Sequence, residues 1–160
     1  MLAKIMRFLG MIIIGIIIII SVLLVLPFDK YVIQSGSMEP TLPVGSIIYV
    51  SNEKPENIKV GDIITFYANR ESTVPTTHRV LEIDTAKRQF ITKGDANEKE
   101  DIIPVSWLFY IGKVAFHIPM IGFVLASLTT INGKIFLISG LMVGIIFIEL
   151  ATLMEKKKNK

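Results

Sequence analysis

The chain has 160 residues, 51% of them hydrophobic, with two histidines and no cysteine. Its mean hydropathy of +0.58 is too high for an ordinary soluble domain of this length, and the lack of cysteine excludes a disulfide framework or a thiolate site. The charge is uneven: the two ends (Lys4, Arg7, Lys156, Lys157, Lys158 and Lys160 against Glu149 and Glu155) carry +4 and the middle −1, the pattern of a membrane protein with basic flanks and not of a nucleic-acid binder.

Residues 1–7 are basic and are expected on the cytoplasmic side. Residues 8–26 form an uncharged, Ile-rich run long enough to span a bilayer at ~1.5 Å per residue. Lys4 and Arg7 ahead of it orient the N-terminus inward. The exit Leu24-Val25-Leu26-Pro27-Phe28 lacks a small-residue cleavage site, so a retained anchor is expected and not a removed leader. About ten residues further on comes the small-residue turn Ser35-Gly36-Ser37-Met38-Glu39-Pro40-Thr41. Even with a fully extended linker, Ser37 then lies within about 35 Å of the membrane surface.

Residues 27–134 are expected to form one extracytoplasmic, mainly β domain. Residues 46–50 and 62–67 are short β-branched and aromatic runs bounded by Pro43-Val44-Gly45 and Val60-Gly61-Asp62. Residues 78–84 and 88–93 suit a hairpin closed around Thr85-Ala86-Lys87, which sets His78 roughly opposite Lys93. Residues 112–116 suit a further strand, and residues 53–59 and 69–76 are polar, proline-containing loops. Residues 135–151 form a second apolar run at the short end of what spans, followed by a basic tail, 152–160. The expected topology is a multi-pass protein of the cell membrane with both termini cytoplasmic.

A serine is a weak nucleophile without a base within hydrogen-bond reach. His117 sits in the apolar setting Phe116-His117-Ile118-Pro119-Met120, which suits packing or an interface. His78 opens a strand whose hairpin partner runs on into Gly94-Asp95-Ala96-Asn97-Glu98-Lys99-Glu100-Asp101. Topology therefore brings His78 near a carboxylate-rich loop, and a carboxylate that orients the imidazole completes a Ser-His-Asp arrangement. Asp95 and Asp101 are both candidates. Read singly, each segment also suits a plain turn or a solvated charge run. The acidic loop lacks the spacing of a calcium-binding EF-hand, and two histidines without cysteine make a metal site improbable.

At these residues the chain resembles the type I signal peptidases, of the endoplasmic-reticulum and archaeal type. The segment Ser35-Gly36-Ser37-Met38-Glu39-Pro40-Thr41-Leu42 is similar to that family's nucleophile segment. Val60-Gly61-Asp62-Ile63-Ile64 with His78-Arg79-Val80 is similar to its base segment, and Lys93-Gly94-Asp95-Ala96-Asn97 through Asp101 to its acidic one. The common bacterial members carry a lysine base where this chain has His78. The resemblance implies Ser37 as nucleophile, His78 as base and Asp101 as the third member, with Asp95 supporting the site. It implies that Ser35 and the Ser37 backbone N–H form the oxyanion hole. It further implies a signal-peptidase-like β fold, no cofactor, and removal of signal peptides from exported preproteins after small residues. The partners it implies are those preproteins, the lipid bilayer and export-machinery or accessory subunits. Two rival functions remain at this level. One is a Ser-Lys self-cleaving peptidase, in which Lys93 is the base. The other is a non-enzymatic membrane accessory or assembly protein.

Overall fold

The computed structural model describes residues 1–158; Asn159 and Lys160, the last residues of the expected tail, lie outside the described residues. The chain divides into a helical unit, residues 1–27 with the chain from Val124 onward, and a β unit, Phe28–Phe123.

The helical unit is built on α1 (Leu2–Val25) and α3 (Ile131–Lys158), the latter preceded by a short helix, α2 (Gly122–Leu128). Both α1 and α3 are long and apolar enough to cross a membrane. Pro27 explains where α1 stops: the residue before a proline is driven out of the helical region, and Leu26 is extended at φ −50°, ψ 139°. The two long helices run antiparallel and touch through glycines. A Cβ added to Gly10 would lie 2.7 Å from the Gly144 carbonyl oxygen and 2.9 Å from Ile148, and one on Gly140 would lie 3.1 Å from Ile17. Without side chains at these points the backbones approach closely, which is how helices associate where no hydrophobic force separates them from lipid. At one end of the pair, the Arg7 guanidinium donates to Glu155 at 2.6 Å.

The β unit is a curled, seven-stranded antiparallel sheet. Its strands are β1 (Asp29–Val32), β2 (Ile47–Ser51), β3 (Ile63–Phe66), β4 (Thr76–Asp84), β5 (Gln89–Lys93), β6 (Val105–Ser106) and β7 (Tyr110–Ile118). Their spatial order is β1-β2-β7-β3-β4-β5-β6, so β7 closes between β2 and β3. The unbroken apolar run of β2 matches a strand covered on both faces, and its first four residues are all buried. Two cores flank the sheet. Ile58, Ile64, Phe66, Val80, Phe90 and Val105 form one. Ile33, Met38, Leu42, Ile48 and Val50 form the other. Burying each such side chain contributes about 1.5–3 kcal/mol.

The β4–β5 hairpin differs from expectation in register. Its turn takes in Arg88, at φ 54°, and Asp84 pairs with Gln89. The Asp84 carboxylate accepts from the Lys87 backbone N–H at 2.9 Å, the local bond that favours Asp at a turn entry. A bulge between Val80 and Glu82 then takes one residue out of step. The extra turn residue and the bulge offset each other, and Lys93 faces Arg79, next to the His78 that it was expected to lie roughly opposite. Strands β1 and β6, too short to carry a period, have no counterpart among the expected elements.

Candidate active site

The turn bearing Ser37 is held from both sides by buried apolar residues. Gly36–Met38 makes one turn of 3₁₀ helix, and the Leu42 N–H donates to the Met38 carbonyl at 2.8 Å. Met38 and Leu42, each 1% exposed, insert into the core shared with Ile33 and Ile48. Immediately ahead of these anchors, the Ser37 side chain is left partly exposed close to Ser35.

β4 supplies the imidazole. His78 is buried, set edge-on to Phe66 with ring centroids 6.2 Å apart. Its Nε2 lies 3.1 Å from Ser37 Oγ, and its Nδ1 lies 2.6 Å from Asp101 Oδ2. With the proton on Nδ1, that nitrogen donates to the carboxylate and Nε2 accepts from the serine hydroxyl. This tautomer presents a base to the serine. The Ser37 proton is then committed to His78, so in the 3.4 Å contact between the two hydroxyls Ser35 is the donor. Asp101 is fixed in turn by Thr92. The Thr92 hydroxyl donates to Oδ2 at 2.6 Å, and the Asp101 N–H donates to the Thr92 carbonyl at 2.8 Å.

Asp95 has a different place. Its two oxygens accept from Arg79 Nε at 2.8 Å and Nη2 at 2.6 Å, a forked charge-assisted pair. It also accepts from the Thr41 hydroxyl at 2.6 Å. The Arg79 fork, helped by Thr41, holds the Asp95 carboxyl below the usual carboxylate range against the opposing effect of burial. The same pairing raises Arg79. Asp95 therefore ties the segment after the serine to the residue after the histidine. The following residue adds a backbone tie, the Ala96 N–H donating to the Ser37 carbonyl at 2.9 Å.

Ser35, Ser37, His78 and Asp101 thus form one hydrogen-bonded line, and Asp95 braces it without bonding the imidazole. His117 stands apart, exposed on β7 opposite Ile48. Lys93 faces Arg79, and no hydrogen bond joins it to Ser37 among the described residues. In the sequence, Thr41, Arg79 and Gly94 stood inside the motif segments without a role of their own, and Thr92 was not singled out. Arg79 carried a usable signal, because a cation directly after a candidate base calls for a carboxylate partner nearby. Thr92 and Gly94 carried none, since their roles depend on which backbone folds against them. Among the described residues, no three His, Cys, Asp or Glu side chains are gathered to hold a metal ion.

Beside the serine opens a cleft of about 310 Å³, whose walls include Tyr31, Ile33, Ser35, Ser37, Met38 and Val74. A serine hydroxyl within hydrogen-bond reach of an imidazole, itself held by a carboxylate, beside a cleft with both apolar and polar walls, is an arrangement suited to acyl transfer.

Comparison with known proteins gives an independent line. The family described as signal peptidase, peptidase S26, matches residues 5–88, just over half of the chain. That stretch includes Ser37 and His78 but neither Asp95 nor Asp101. The signal peptidase complex catalytic subunit SEC11C of Homo sapiens is 36% identical over 73 residues, 44% of this chain and 38% of that protein. The catalytic subunit SEC11 of Zygosaccharomyces rouxii is 39% identical over 74 residues, 44% of this chain and 43% of that protein. SEC11 of Lodderomyces elongisporus is 37% identical over 103 residues, 58% of this chain and 61% of that protein. In each case the aligned part is less than two thirds of the relative's length.

Proposed function

The chain belongs to the signal peptidase family, peptidase S26, and from that premise we propose that it is a membrane-bound serine endopeptidase that removes N-terminal signal peptides from exported preproteins. The observation that carries the reading is the line from Ser37 through His78 to Asp101, with separations of 3.1 Å and 2.6 Å.

Ser37 Oγ attacks the carbonyl carbon of the residue before the cut while its proton passes to His78 Nε2. The C–N bond breaks as His78 returns that proton to the leaving amine. Water then attacks the acyl-serine, and His78 takes the water's proton and passes it to Ser37 Oγ as the new carboxyl group leaves. Asp101 holds the tautomer and stabilises the imidazolium between these transfers. The Ser37 N–H and the Ser35 hydroxyl stabilise the oxyanion, a contribution of about 3–4 kcal/mol of barrier for each such donor. In an extended substrate the residue at the cut and the residue two before it share a face. The serine-side cleft, whose walls include Ile33, Met38 and Val74, is the proposed place of those two residues' small side chains.

Two long apolar helices suit a multi-pass protein of the cell membrane. In this reading both termini are cytoplasmic, residues 8–26 and 135–151 cross the bilayer, and residues 27–134 work on the far side. Enzyme and signal peptide then share one membrane, which raises their effective concentration without any new contact. The relatives are named as catalytic subunits of a complex, and accessory subunits are proposed here too.

The test is cleavage of a preprotein reporter by the purified full chain in liposomes, with Ser37→Ala alongside. Cleavage after a small residue that disappears in the variant is the expected result. Equal cleavage by both would refute Ser37 as nucleophile. Cleavage that needs added export components, and is still lost in Ser37→Ala, would make the accessory subunits obligatory.

A further inference from the structure

Resting on the reading of Ser37 and His78 as nucleophile and base, we propose that a second cleft, on the histidine side, binds the first residues of the chain released after the cut and prefers an apolar side chain there. This cleft encloses about 510 Å³, and its walls include Phe66, His78, Asp101, Ile102, Ile103 and Val105. It contains His78 but not Ser37, whereas the first cleft contains Ser37 but not His78. Thr76 lines both.

That division matches the two halves of a peptide undergoing acyl transfer. The acyl half stays bonded to Ser37 Oγ until water releases it, so it occupies the serine's cleft. The amine half is bonded to no protein atom, but it must receive its proton from His78 Nε2 and so departs along the histidine's cleft. At ~3.3 Å per residue, the first three released residues extend about 10 Å from the cut.

The walls set the preference. Ile102 is 98% exposed and Ile103 70% exposed, and neither belongs to a core of the sheet. Water covers both unless a ligand does, and removing apolar surface from water is favourable. Phe66 and Val105, both buried, supply an apolar floor. Lys99 and Glu100 also line the cleft with opposite charges, and the Asp101 carboxylate is engaged by His78 and Thr92. Ile102 directly follows Asp101, so the segment that orients the base also presents the apolar wall.

The experiment uses the full chain in liposomes and a preprotein series carrying Leu, Gly, Lys or Asp at each of the first three positions after the cut. The readout is kcat/KM. Leu is expected to exceed Gly by about tenfold at one of these positions. The double variant Ile102→Ala, Ile103→Ala is expected to bring the two level, and Ile102→Lys to turn the order in favour of Asp. A damaged fold lowers all rates but does not create a new preference. If both variants keep the wild-type order while cleavage still depends on Ser37, the cleft assignment is overturned and the peptidase reading stands. Cleavage that persists in Ser37→Ala overturns that reading and the assignment together.

Discussion

Gly94 lies against the backbone of the serine turn. A Cβ there would sit 2.5 Å from the Ser37 carbonyl oxygen and 2.7 Å from the Asn97 side-chain nitrogen. The first of these neighbours is backbone and can yield only by moving the serine. Gly94→Ala is therefore expected to lower kcat by roughly 10²-fold, the cost of displacing a reacting group by about 1 Å, while urea unfolding shows the domain still folded. The two aspartates separate by measurement. Asp101→Asn replaces an acceptor-only carboxylate with an amide that can donate to His78 Nδ1 and favour the other tautomer, and a fall in kcat of about 10⁴-fold is expected with little change in KM. Asp95→Asn acts on stability. The folded state depresses the Asp95 carboxyl through Arg79 and Thr41, so its contribution is complete above the unfolded carboxylate value and is lost as pH falls through the depressed one. Urea unfolding of wild type and Asp95→Asn should differ most near neutral pH and converge in acid. A constant difference down to the acid limit would mean that the ion pair is not what stabilises this corner.

At the scale of elements, α1 and α3 pair through an absence of side chains. Ile14 and Ile17 of α1 pack into the space left by Gly144 and Gly140 of α3, whose four-residue spacing keeps both on one helix face. Gly10→Ala forces a methyl into the Gly144 carbonyl, so a lower midpoint of thermal unfolding in detergent is expected. Gly15 makes the internal comparison. An added Cβ meets nothing within 4 Å there, so Gly15→Ala should hold its midpoint or gain up to about 1 kcal/mol from helix propensity. In the β unit, the bulge in β4 has the corresponding role. By shifting register between Val80 and Glu82 it sets how β4, with His78, meets the strand that leads to Gly94 and Asp101. Bulges beside reactive side chains commonly re-aim them in this way.

For the whole molecule, the proposed topology is testable because the chain has no cysteine, so one introduced thiol reports alone. In sealed cells an impermeant maleimide should label Thr73→Cys from outside and leave Lys4→Cys unlabelled until the membrane is opened; the reverse pattern would invert the topology. Much of this organisation is local and could be read in the linear chain. A continuous apolar run marks a long helix wherever it ends up, and β-branched runs between glycine and proline turns mark strands. On those grounds the mainly β sheet flanked by two apolar helices was legible, as were the serine turn and the histidine as candidates, because short motifs keep their chemistry in one place. The partners of those residues were legible only through the resemblance, which pointed to Asp101 for His78, since spacing alone left Asp95 and Asp101 both open. Ser37 and His78 are 41 positions apart, and His78 and Asp101 are 23 apart. Whether His78 meets Asp101 depends on the turn length and the bulge of the β4–β5 hairpin, which shift the pairing in opposite senses, and whether Ser37 meets His78 depends on how a turn outside that hairpin packs against β4. Only the tertiary structure gave the Asp101 contact its geometry, paired Asp95 with Arg79, brought Thr92 and Gly94 against them, and opened separate clefts on the serine and histidine sides. Composition and periodicity determine what a segment can become, whereas long-range register decides which side chains share a hydrogen bond.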